Sequence, residues 1–278
     1  MRKLRRLGEL VALTIRLARR EGVLIAAGSI RRYTSSWISN QWERDRRWQG
    51  RIVEMLGNRQ RIDGALIDVS SPLIPTHLKG LFLKRNYEWA ERSLFLRHFP
   101  ADMPVIELGG CLGVVSCITN LRLKRPEQHV VVEANPQLLD IMERNRVLND
   151  CRFHIVHAAL AYDRSEVPLF LQLFTSGNIF QQSGESVMVT ATSVEQIAKD
   201  AGFRRFNIIC DVEGCEVDMI EREVGFLGSH VSWMIIEMHE STVGVNGVAD
   251  ADLTLRDHGF ECVETLRNVY CYRNSRSL

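Results

Sequence analysis

The chain has 278 residues, 45% of them hydrophobic, which is enough for a full α/β core in one main domain. Its seven cysteines form no Cys-x-x-Cys pair, which disfavours a zinc site or a secreted disulfide framework and favours a reducing cytosol. No stretch approaches the roughly 20 apolar residues of a membrane span, and the N-terminus lacks a signal-peptide pattern. We expect a cytoplasmic protein, soluble or peripheral at the inner membrane surface.

The net charge of +1 conceals an uneven distribution. Residues 1–51 hold 13 Lys and Arg against 4 Asp and Glu, a balance of +9, so the remaining 22 basic and 30 acidic residues balance at −8. Apolar residues recur at three- and four-residue intervals among the arginines of residues 1–20, which predicts a basic amphipathic helix. It either packs on the main domain or a partner, or docks on an anionic membrane surface. We expect a basic helical extension over residues 1–60.

The main domain is predicted over residues 61–278, with its core at 100–278. RIDGALIDV, at 61–69, has an Asp-Gly turn signal between two short runs typical of strands, which predicts a hairpin. NYEWAERSLFLRHF then predicts an amphipathic helix that leads into the core. The packing residues expected on this helix are Trp89, Leu94, Leu96 and Phe99.

From residue 104 onward, strand and helix patterns alternate. The predicted strands include PVIEL, HVVVEA, RFHIVHAAL, FNIICDV and VSWMIIEMH, and the predicted helices cover 113–123, 137–149 and 193–201. VPLFLQL and VMVTA predict an inserted hairpin, and two further strands that can pair end the chain. Such alternation favours an α/β fold, a doubly wound, largely parallel sheet with helices on both faces.

The segment VIELGGCLGVVSC, at 105–117, predicts a buried strand, a tight turn and the start of a helix. Glu107 is predicted to end the strand, and Gly109, Gly110 and Gly113 follow before the helix. Gly109 and Gly110 allow a tight turn and close approach of a ligand, and Gly113 lets the helix start near the strand. The register lacks two glycines of the dinucleotide fingerprint, which weakens a nicotinamide interpretation.

A second acidic residue narrows the choice of ligand. Glu133 closes the next strand, 26 residues after Glu107, where a carboxylate can accept hydrogen bonds from both hydroxyls of a ribose. Because no phosphate-binding glycine register and no P-loop Lys are present, the adenosine ligand is predicted to be S-adenosylmethionine. The cofactor-binding residues are then Gly109, Gly110, Gly113 and Glu133, while Glu107 shapes the turn and reaches the methionine end.

Several separated segments resemble the FkbM-type family of class I S-adenosylmethionine-dependent methyltransferases, over roughly residues 60–240. NYEWAE resembles the Tyr-Glu-x-x-Glu lead-in of the family, and VIELGGCLGVVS its first glycine motif. VVVEANP is similar to the second strand with its Glu, Asn and Pro, which adds Asn135 to the predicted cofactor site. TSVEQIAKDAGFRRFNIICDVEGCEVDMI and IIEMHE are similar to the segments ending in Asp-Val-Glu-Gly-x-Glu and Glu-x-His.

The resemblance implies a seven-stranded doubly wound sheet with an antiparallel last strand. It also implies methylation of a hydroxyl group, often on a sugar or a polyketide-type natural product. Two positions depart from the family pattern: Ile209 replaces a common Lys, and Cys215 replaces a common Ala. The missing Lys leaves open whether catalysis follows the family mechanism.

Carboxylates and a histidine at the strand ends are the candidate catalytic groups. Methyl transfer needs an aligned acceptor oxygen and removal of its proton, for which we assign Asp211, Glu213 and His239, with His239 the first candidate for general base. Glu216 either joins this cluster or only begins the next helix. Clustering of carboxylates either raises a pKa or creates a divalent metal site, and no metal is assigned.

The function predicted from the sequence is therefore that of an O-methyltransferase acting on a hydroxyl of a saccharide, glycolipid or related natural product. The basic N-terminal helix would hold the enzyme near a membrane-linked or anionic acceptor. Two alternatives stay open. A nucleic-acid methyltransferase would account for the arginines, although DVEG stands where an Asn/Asp-Pro-Pro-Tyr loop is expected. A non-catalytic cofactor-binding scaffold would account for the missing Lys.

Overall fold

The computed structural model describes residues 46–171, 177–178 and 185–277, so the predicted basic helix of residues 1–20 lies outside the described residues. A seven-stranded sheet forms the centre and helices cover both of its faces. A two-stranded hairpin and a four-stranded sheet add to this core. No helix of the described residues is long and apolar enough to span a bilayer.

The elements follow the alternation that the sequence predicts. The described helices are α1 over 46–55, α2 Thr76–Leu83, α3 Trp89–His98, α4 Val114–Asn120, α5 Pro136–Leu148, α6 Val194–Ala201, α7 Glu216–His230 and α8 Glu240–Asp257. The strands are β1 Arg59–Ile62, β2 Ala65–Asp68, β3 Val105–Leu108, β4 His129–Glu133, β5 His154–His157, β6 Ala159–Leu160, β7 Glu166–Leu171, β8 Gly177–Asn178, β9 Ser186–Thr192, β10 Phe206–Cys210, β11 Val231–Glu237, β12 Phe260–Leu266 and β13 Val269–Asn274.

The central sheet has the strand order β12-β13-β11-β10-β3-β4-β5. Its strands pair in parallel except at β13, which is antiparallel to both β11 and β12. The predicted seven-stranded, mostly parallel sheet with an antiparallel last strand is thus confirmed. The chain leaves β3 toward β4 on one side and later returns to β10 on the other, so the strand order reverses between β3 and β10. Ligands of such sheets bind at this point, beyond the carboxyl ends of the strands.

Alternate residues of each strand face two different hydrophobic cores. Val105 packs in the core under α3, α4 and α5, which Val53 of α1 and Phe82 of α2 also join. Ile106 and Leu108 face the other core, under α6, α7 and α8. The chain therefore forms three layers, with the sheet between two sets of helices.

The predicted hairpins are confirmed, and one predicted packing residue is wrong. Ile62 pairs with Ala65 across a two-residue turn formed by Asp63 and Gly64. Both turn residues have positive φ, as a type I′ turn requires. β7 and β9 pair antiparallel as the second predicted hairpin.

Trp89 is 41% exposed because it is the first residue of α3, and the Arg267 guanidinium lies 5.7 Å from its ring centroid. The boundary at residue 60 between the basic extension and the main domain stays a prediction. β1 runs across that position.

Candidate functional site

The turn between β3 and α4 brings the ends of three strands into contact. Gly109 has φ +88°, and a Cβ there would lie 1.8 Å from the carbonyl oxygen of Asp211 after β10. The N–H groups of Gly109 and Gly110 both donate to the Val132 carbonyl oxygen in β4, at 2.9 and 3.1 Å. The turn is therefore fixed by backbone contacts on both sides.

Glu133, at the end of β4, holds the same turn through its side chain. Its Oε2 accepts from the N–H of Cys111 and its Oε1 from the N–H of Asn135, each at 2.7 Å. Burial raises the pKa of Glu133, although these backbone hydrogen bonds act in the opposite direction. Each carboxylate oxygen has about two acceptor sites, so Glu133 keeps capacity to accept hydrogen bonds from ligand hydroxyls.

A cleft opens at the carboxyl ends of β3, β4 and β10. It is lined by Tyr87, Glu88, Leu108, Gly109, Cys111, Val132, Glu133, Ala134, Ala158, Ala159, Leu160, Leu169, Asp211, Val212, Glu213 and Cys215. Four of these side chains are carboxyl groups, and among the described lining residues none is Lys, Arg or His. The wall of the cleft thus combines an apolar surface with acidic groups.

Tyr87 and Glu88 reach the cleft from the connection between α2 and α3. The Tyr87 hydroxyl lies 3.2 Å from the Cys111 sulfur, which ties this connection to the glycine turn. Glu88 has φ +45°, a left-handed conformation that non-glycine residues adopt at an energetic cost. Burial and the nearby carboxyl groups of Glu91 and Glu107 raise the pKa of Glu88 well above its usual range. Glu88 belongs to the NYEWAE motif, but the motif alone did not predict it as a site residue.

The turn after β10 adds Asp211 and Glu213 to the cleft lining. Glu213 has φ +54° and Gly214 has φ +113°, and a Cβ at Gly214 would lie 2.5 Å from the Thr242 methyl carbon. Burial, followed by the charge of Glu237, raises the pKa of Asp211 well above its usual range. Burial also raises the pKa of Glu213. Both predicted catalytic carboxylates line the cleft.

His239, the residue before α8, lies behind these two carboxylates. Its Nδ1 is 2.8 Å from Oε1 of Glu216, and its Nε2 is 3.4 Å from Oε2 of Glu213, 3.6 Å from Oδ1 of Asp211 and 3.9 Å from Oε1 of Glu237. Burial lowers the pKa of His239, but the hydrogen bond to Glu216 and the surrounding negative charges outweigh it and raise the pKa to about 9.

This environment disfavours the general-base role predicted for His239, which stays a prediction. A pKa of about 9 favours the protonated form of His239 at neutral pH. The residue is also absent from the described cleft wall, where Asp211 and Glu213 stand in front of it. The charge of a protonated His239 favours the ionised forms of Asp211 and Glu213.

The same cluster has the geometry of a possible cation site. Asp211, Glu216 and His239 each place one ligand atom within 4.8 Å of the others. The Glu216 side chain is fully buried, and its Oε2 has no hydrogen-bond partner among the described residues. A protonated His239 would itself supply positive charge to these carboxylates. The cluster is therefore compatible with a raised carboxyl pKa and with a divalent metal site.

Two residues predicted to bind the cofactor lie outside the described cleft lining and make structural contacts. Glu107 faces α4, where its carboxylate accepts from the Ser116 hydroxyl at 2.6 Å and contacts Nε2 of His129 at 3.2 Å. It is 2% exposed and is not part of the described cleft wall, because its position in β3 directs it into the first core. Asn135 is the N-cap of α5, with its side-chain oxygen accepting from the N–H of Gln137.

Two of the three predicted glycines pack against α5 rather than lining the cleft. A Cβ at Gly110 would lie 2.5 Å from the Met142 methyl carbon, and a Cβ at Gly113 would lie 3.0 Å from Met142 Cγ. Gly113 also has φ +76° immediately before α4. Both glycines therefore let α5 pack closely, and Gly109 and Glu133 are the predicted cofactor residues on the cleft wall.

Sequence reasoning missed a pair of acidic residues behind the site. Glu91 of α3 lies near Glu237 at the end of β11, and burial together with this neighbouring carboxyl group raises the pKa of Glu91 to about 8. Glu237 also accepts from the Asn268 side chain at 2.6 Å. The signal was present, since NYEWAE contains Glu91 and IIEMHE contains Glu237, but sequence alone does not show that these two segments meet.

Comparisons with known proteins give structural resemblance at low sequence identity. No protein-family model matches the sequence, and no curated protein matches it significantly. A TehB-like SAM-dependent methyltransferase from Corynebacterium glutamicum is 11% identical, with a TM-score of 0.43, over 71% of this chain and 94% of that one.

Two further solved structures are similar to the chain. The ribosomal protein L11 methylase of Lactobacillus delbrueckii subsp. bulgaricus is 11% identical over 66% of this chain and 74% of that one, with a TM-score of 0.39. Aeropyrum pernix fibrillarin, in complex with S-adenosyl-L-methionine, is 10% identical over 65% and 71%, also with a TM-score of 0.39. Similarity at this level does not identify the activity, ligand or substrate of this chain.

Proposed function

We propose that this protein is an S-adenosylmethionine-dependent methyltransferase. The observation that carries the proposal is the acidic lining of the cleft, where four carboxyl side chains and no basic side chain line the described wall and a bound cation would favour their ionised forms. S-adenosylmethionine has a cationic sulfonium and a cationic ammonium group, whereas dinucleotides have an anionic pyrophosphate. Electrostatic attraction therefore favours the first ligand in this cleft and repulsion disfavours the second.

The cleft residues fit the parts of this cofactor. Glu133 retains acceptor sites for the ribose hydroxyls while two backbone N–H groups hold its carboxylate in place. Gly109 lets the turn pack against the Asp211 backbone at the cleft, since a Cβ there would lie 1.8 Å from the Asp211 carbonyl oxygen. Glu88, which also lines the cleft, supplies a carboxyl group for the ammonium of the methionine end.

The turn after β10 provides the carboxylates proposed for catalysis. Bound S-adenosylmethionine supplies an electrophilic methyl group, so the chain has to align the acceptor oxygen and take its proton. Asp211 and Glu213 line the cleft, and burial raises the pKa of both, which makes each carboxylate a stronger base once ionised. Protonated His239 favours the ionised form of both through its charge.

For the acceptor, we propose a hydroxyl group of a saccharide, glycolipid or related natural product. The support is the resemblance of the sequence motifs to the FkbM-type family, together with a sheet of the topology that this resemblance implies. Ile209, where the family commonly has Lys, is 3% exposed in the core under α3 and α4. The position therefore contributes to packing here, and the proposed proton acceptor is a carboxylate.

Calorimetric titration with S-adenosylmethionine tests the cofactor. We expect Glu133→Ala to weaken binding by about 1.5–3 kcal/mol, through loss of hydrogen bonds to a charged acceptor. Glu143→Ala is the matched control, because Glu143 lies on the surface of α5 in an ion pair with Arg146. Equal affinity in wild type and the Glu133 variant would remove Glu133 from the site, and NADH binding in place of S-adenosylmethionine would overturn the proposal.

A nucleic-acid acceptor is the alternative suggested by the arginines of residues 1–51. Transfer of a labelled methyl group separates the acceptors: incorporation into a glycolipid or glycan fraction supports the proposal, and incorporation into RNA or DNA supports the alternative. Cofactor binding without transfer to any hydroxyl acceptor would support a non-catalytic scaffold.

A further inference from the structure

One face of α1 exposes large apolar side chains beside basic ones. Trp48 is 55% exposed and Met55 is 86% exposed, and Leu56, directly after the helix, is 61% exposed. Arg47 and Arg51, also exposed, lie on this face because residues four apart in a helix are neighbours. Aliphatic and aromatic side chains are thus presented to the outside together with cations.

The helix is fixed, so this face cannot turn inward. A Cβ at Gly50 would lie 1.6 Å from the Thr76 carbonyl oxygen, and a Cβ at Gly80 would lie 2.5 Å from the Arg46 carbonyl oxygen. Val53 is fully buried in the core on the inner side of α1. Packing of the inner side against α2 therefore determines which residues face outward.

The two arginines also line a small surface cleft with Pro75, Thr76 and His77 at the start of α2. α2 has no side-chain hydrogen bond at its N-cap, and the positive end of its dipole adds to the charge of the arginines. The carboxylate of the nearby Glu54 already has partners. Lys79 Nζ lies 3.2 Å from its Oε1, and the Thr76 hydroxyl donates to the same oxygen at 2.9 Å. The cleft therefore attracts anions.

We propose that the outward face of α1 docks on an anionic lipid bilayer. Trp and long apolar side chains insert at the headgroup level of a bilayer, and arginines beside them bind lipid phosphates. The charge is complementary, because residues 1–45, which precede α1, add 10 Lys and Arg against 4 Asp and Glu. Exposed aliphatic groups such as Met55 and Leu56 gain contacts in the acyl region that a nucleic-acid backbone would not offer.

Co-sedimentation of the full chain tests the proposal with two kinds of vesicle, phosphatidylcholine alone and phosphatidylcholine mixed with phosphatidylglycerol. We expect binding to the mixed vesicles, weakened roughly 30-fold in an Arg47→Gln/Arg51→Gln variant. The control is Arg164→Gln/Arg204→Gln, which makes the same change of charge at exposed positions, with Arg204 next to α6 on the other face of the sheet. Equal loss in both double variants would show attraction by net charge alone and overturn the proposal.

A second variant separates the apolar contribution. Trp48→Ala should still weaken vesicle binding at high salt, where the contribution of the arginines is screened. Tm measurements on all variants exclude loss of fold as the cause of weaker binding. The proposal would be wrong if wild type bound neither kind of vesicle, or if a single-stranded RNA bound more tightly than mixed vesicles and displaced them. Because no step uses the cofactor cleft, these outcomes are independent of methyltransferase activity.

Discussion

Glu216 and His239, 23 residues apart in the chain, are joined by a contact of 2.8 Å between Oε1 and Nδ1. Glu216 is the first residue of α7 and is fully buried, and the same oxygen accepts from the N–H of Val212 at 3.2 Å. The contact orients the imidazole so that its other nitrogen faces Asp211 and Glu213. A buried carboxylate thus determines both the orientation and the charge of the histidine.

Replacing this carboxylate should change how His239 titrates. In Glu216→Gln we expect the pKa of His239 to fall from about 9 by about 1–2, since a nearby negative charge is lost while burial continues to favour the neutral ring. NMR titration of the imidazole signals measures the change. Glu195→Gln, in a surface ion pair on α6, is the control. An unaltered titration of His239 would show that Glu216 does not control its charge.

The raised pKa of His239 also predicts a dependence of stability on pH. Its contribution is fully present below the ordinary histidine pKa of about 6.5 and is lost as the pH rises through about 9. We therefore expect wild type to have a higher Tm than His239→Gln near pH 6.5, and the difference to shrink toward alkaline pH. A difference that stayed constant or grew across this range would contradict the assignment.

Binding of a cationic cofactor should release protons. Burial raises the pKa values of four cleft carboxyl groups, Glu88, Glu133, Asp211 and Glu213, and a bound cation would lower them again. Calorimetry of S-adenosylmethionine binding in buffers of different ionisation enthalpy measures this release. S-adenosylhomocysteine, which lacks the sulfonium charge, should release fewer protons, and equal release by both ligands would contradict the electrostatic argument.

Gly109 should tolerate no side chain. In Gly109→Ala the new methyl group would lie 1.8 Å from the Asp211 carbonyl oxygen at a positive φ, so we expect a loss of unfolding free energy on the order of 1–3 kcal/mol from overpacking, in addition to backbone strain. Gly202→Ala is the matched control, since Gly202 also has positive φ but no atom within 4 Å of an added Cβ. Denaturant unfolding compares the two, and equal losses would mean that strain alone is responsible.

The fold was predictable because its signals are local. Strands such as Phe206–Cys210 are continuous apolar runs, and helices such as Val194–Ala201 have a capping Ser193 and a closing Gly202. Glu133 was predictable as a cleft residue because it is the last residue of its strand, where side chains meet at the sheet edge.

The rest of the site depends on contacts between distant segments. Glu107 is one residue short of the strand end, so it faces the core, and its partner His129 lies 22 residues away. The charge of His239 depends on Glu216, which the sequence could equally assign to the start of a helix. A motif gives the identity of such groups, whereas their protonation depends on neighbours that only the folded chain brings together.

The contact between Gly109 and the Asp211 carbonyl has a further consequence for how such an enzyme could change its acceptor. Backbone contact joins the loop beneath the proposed methyl donor to the loop holding a proposed proton acceptor, so the spacing between the two does not depend on any side chain. Tyr87 and Glu88 line the same cleft from the connection between α2 and α3, which takes no part in this backbone contact. Side-chain substitutions elsewhere in the cleft would then leave the spacing of these two loops unchanged.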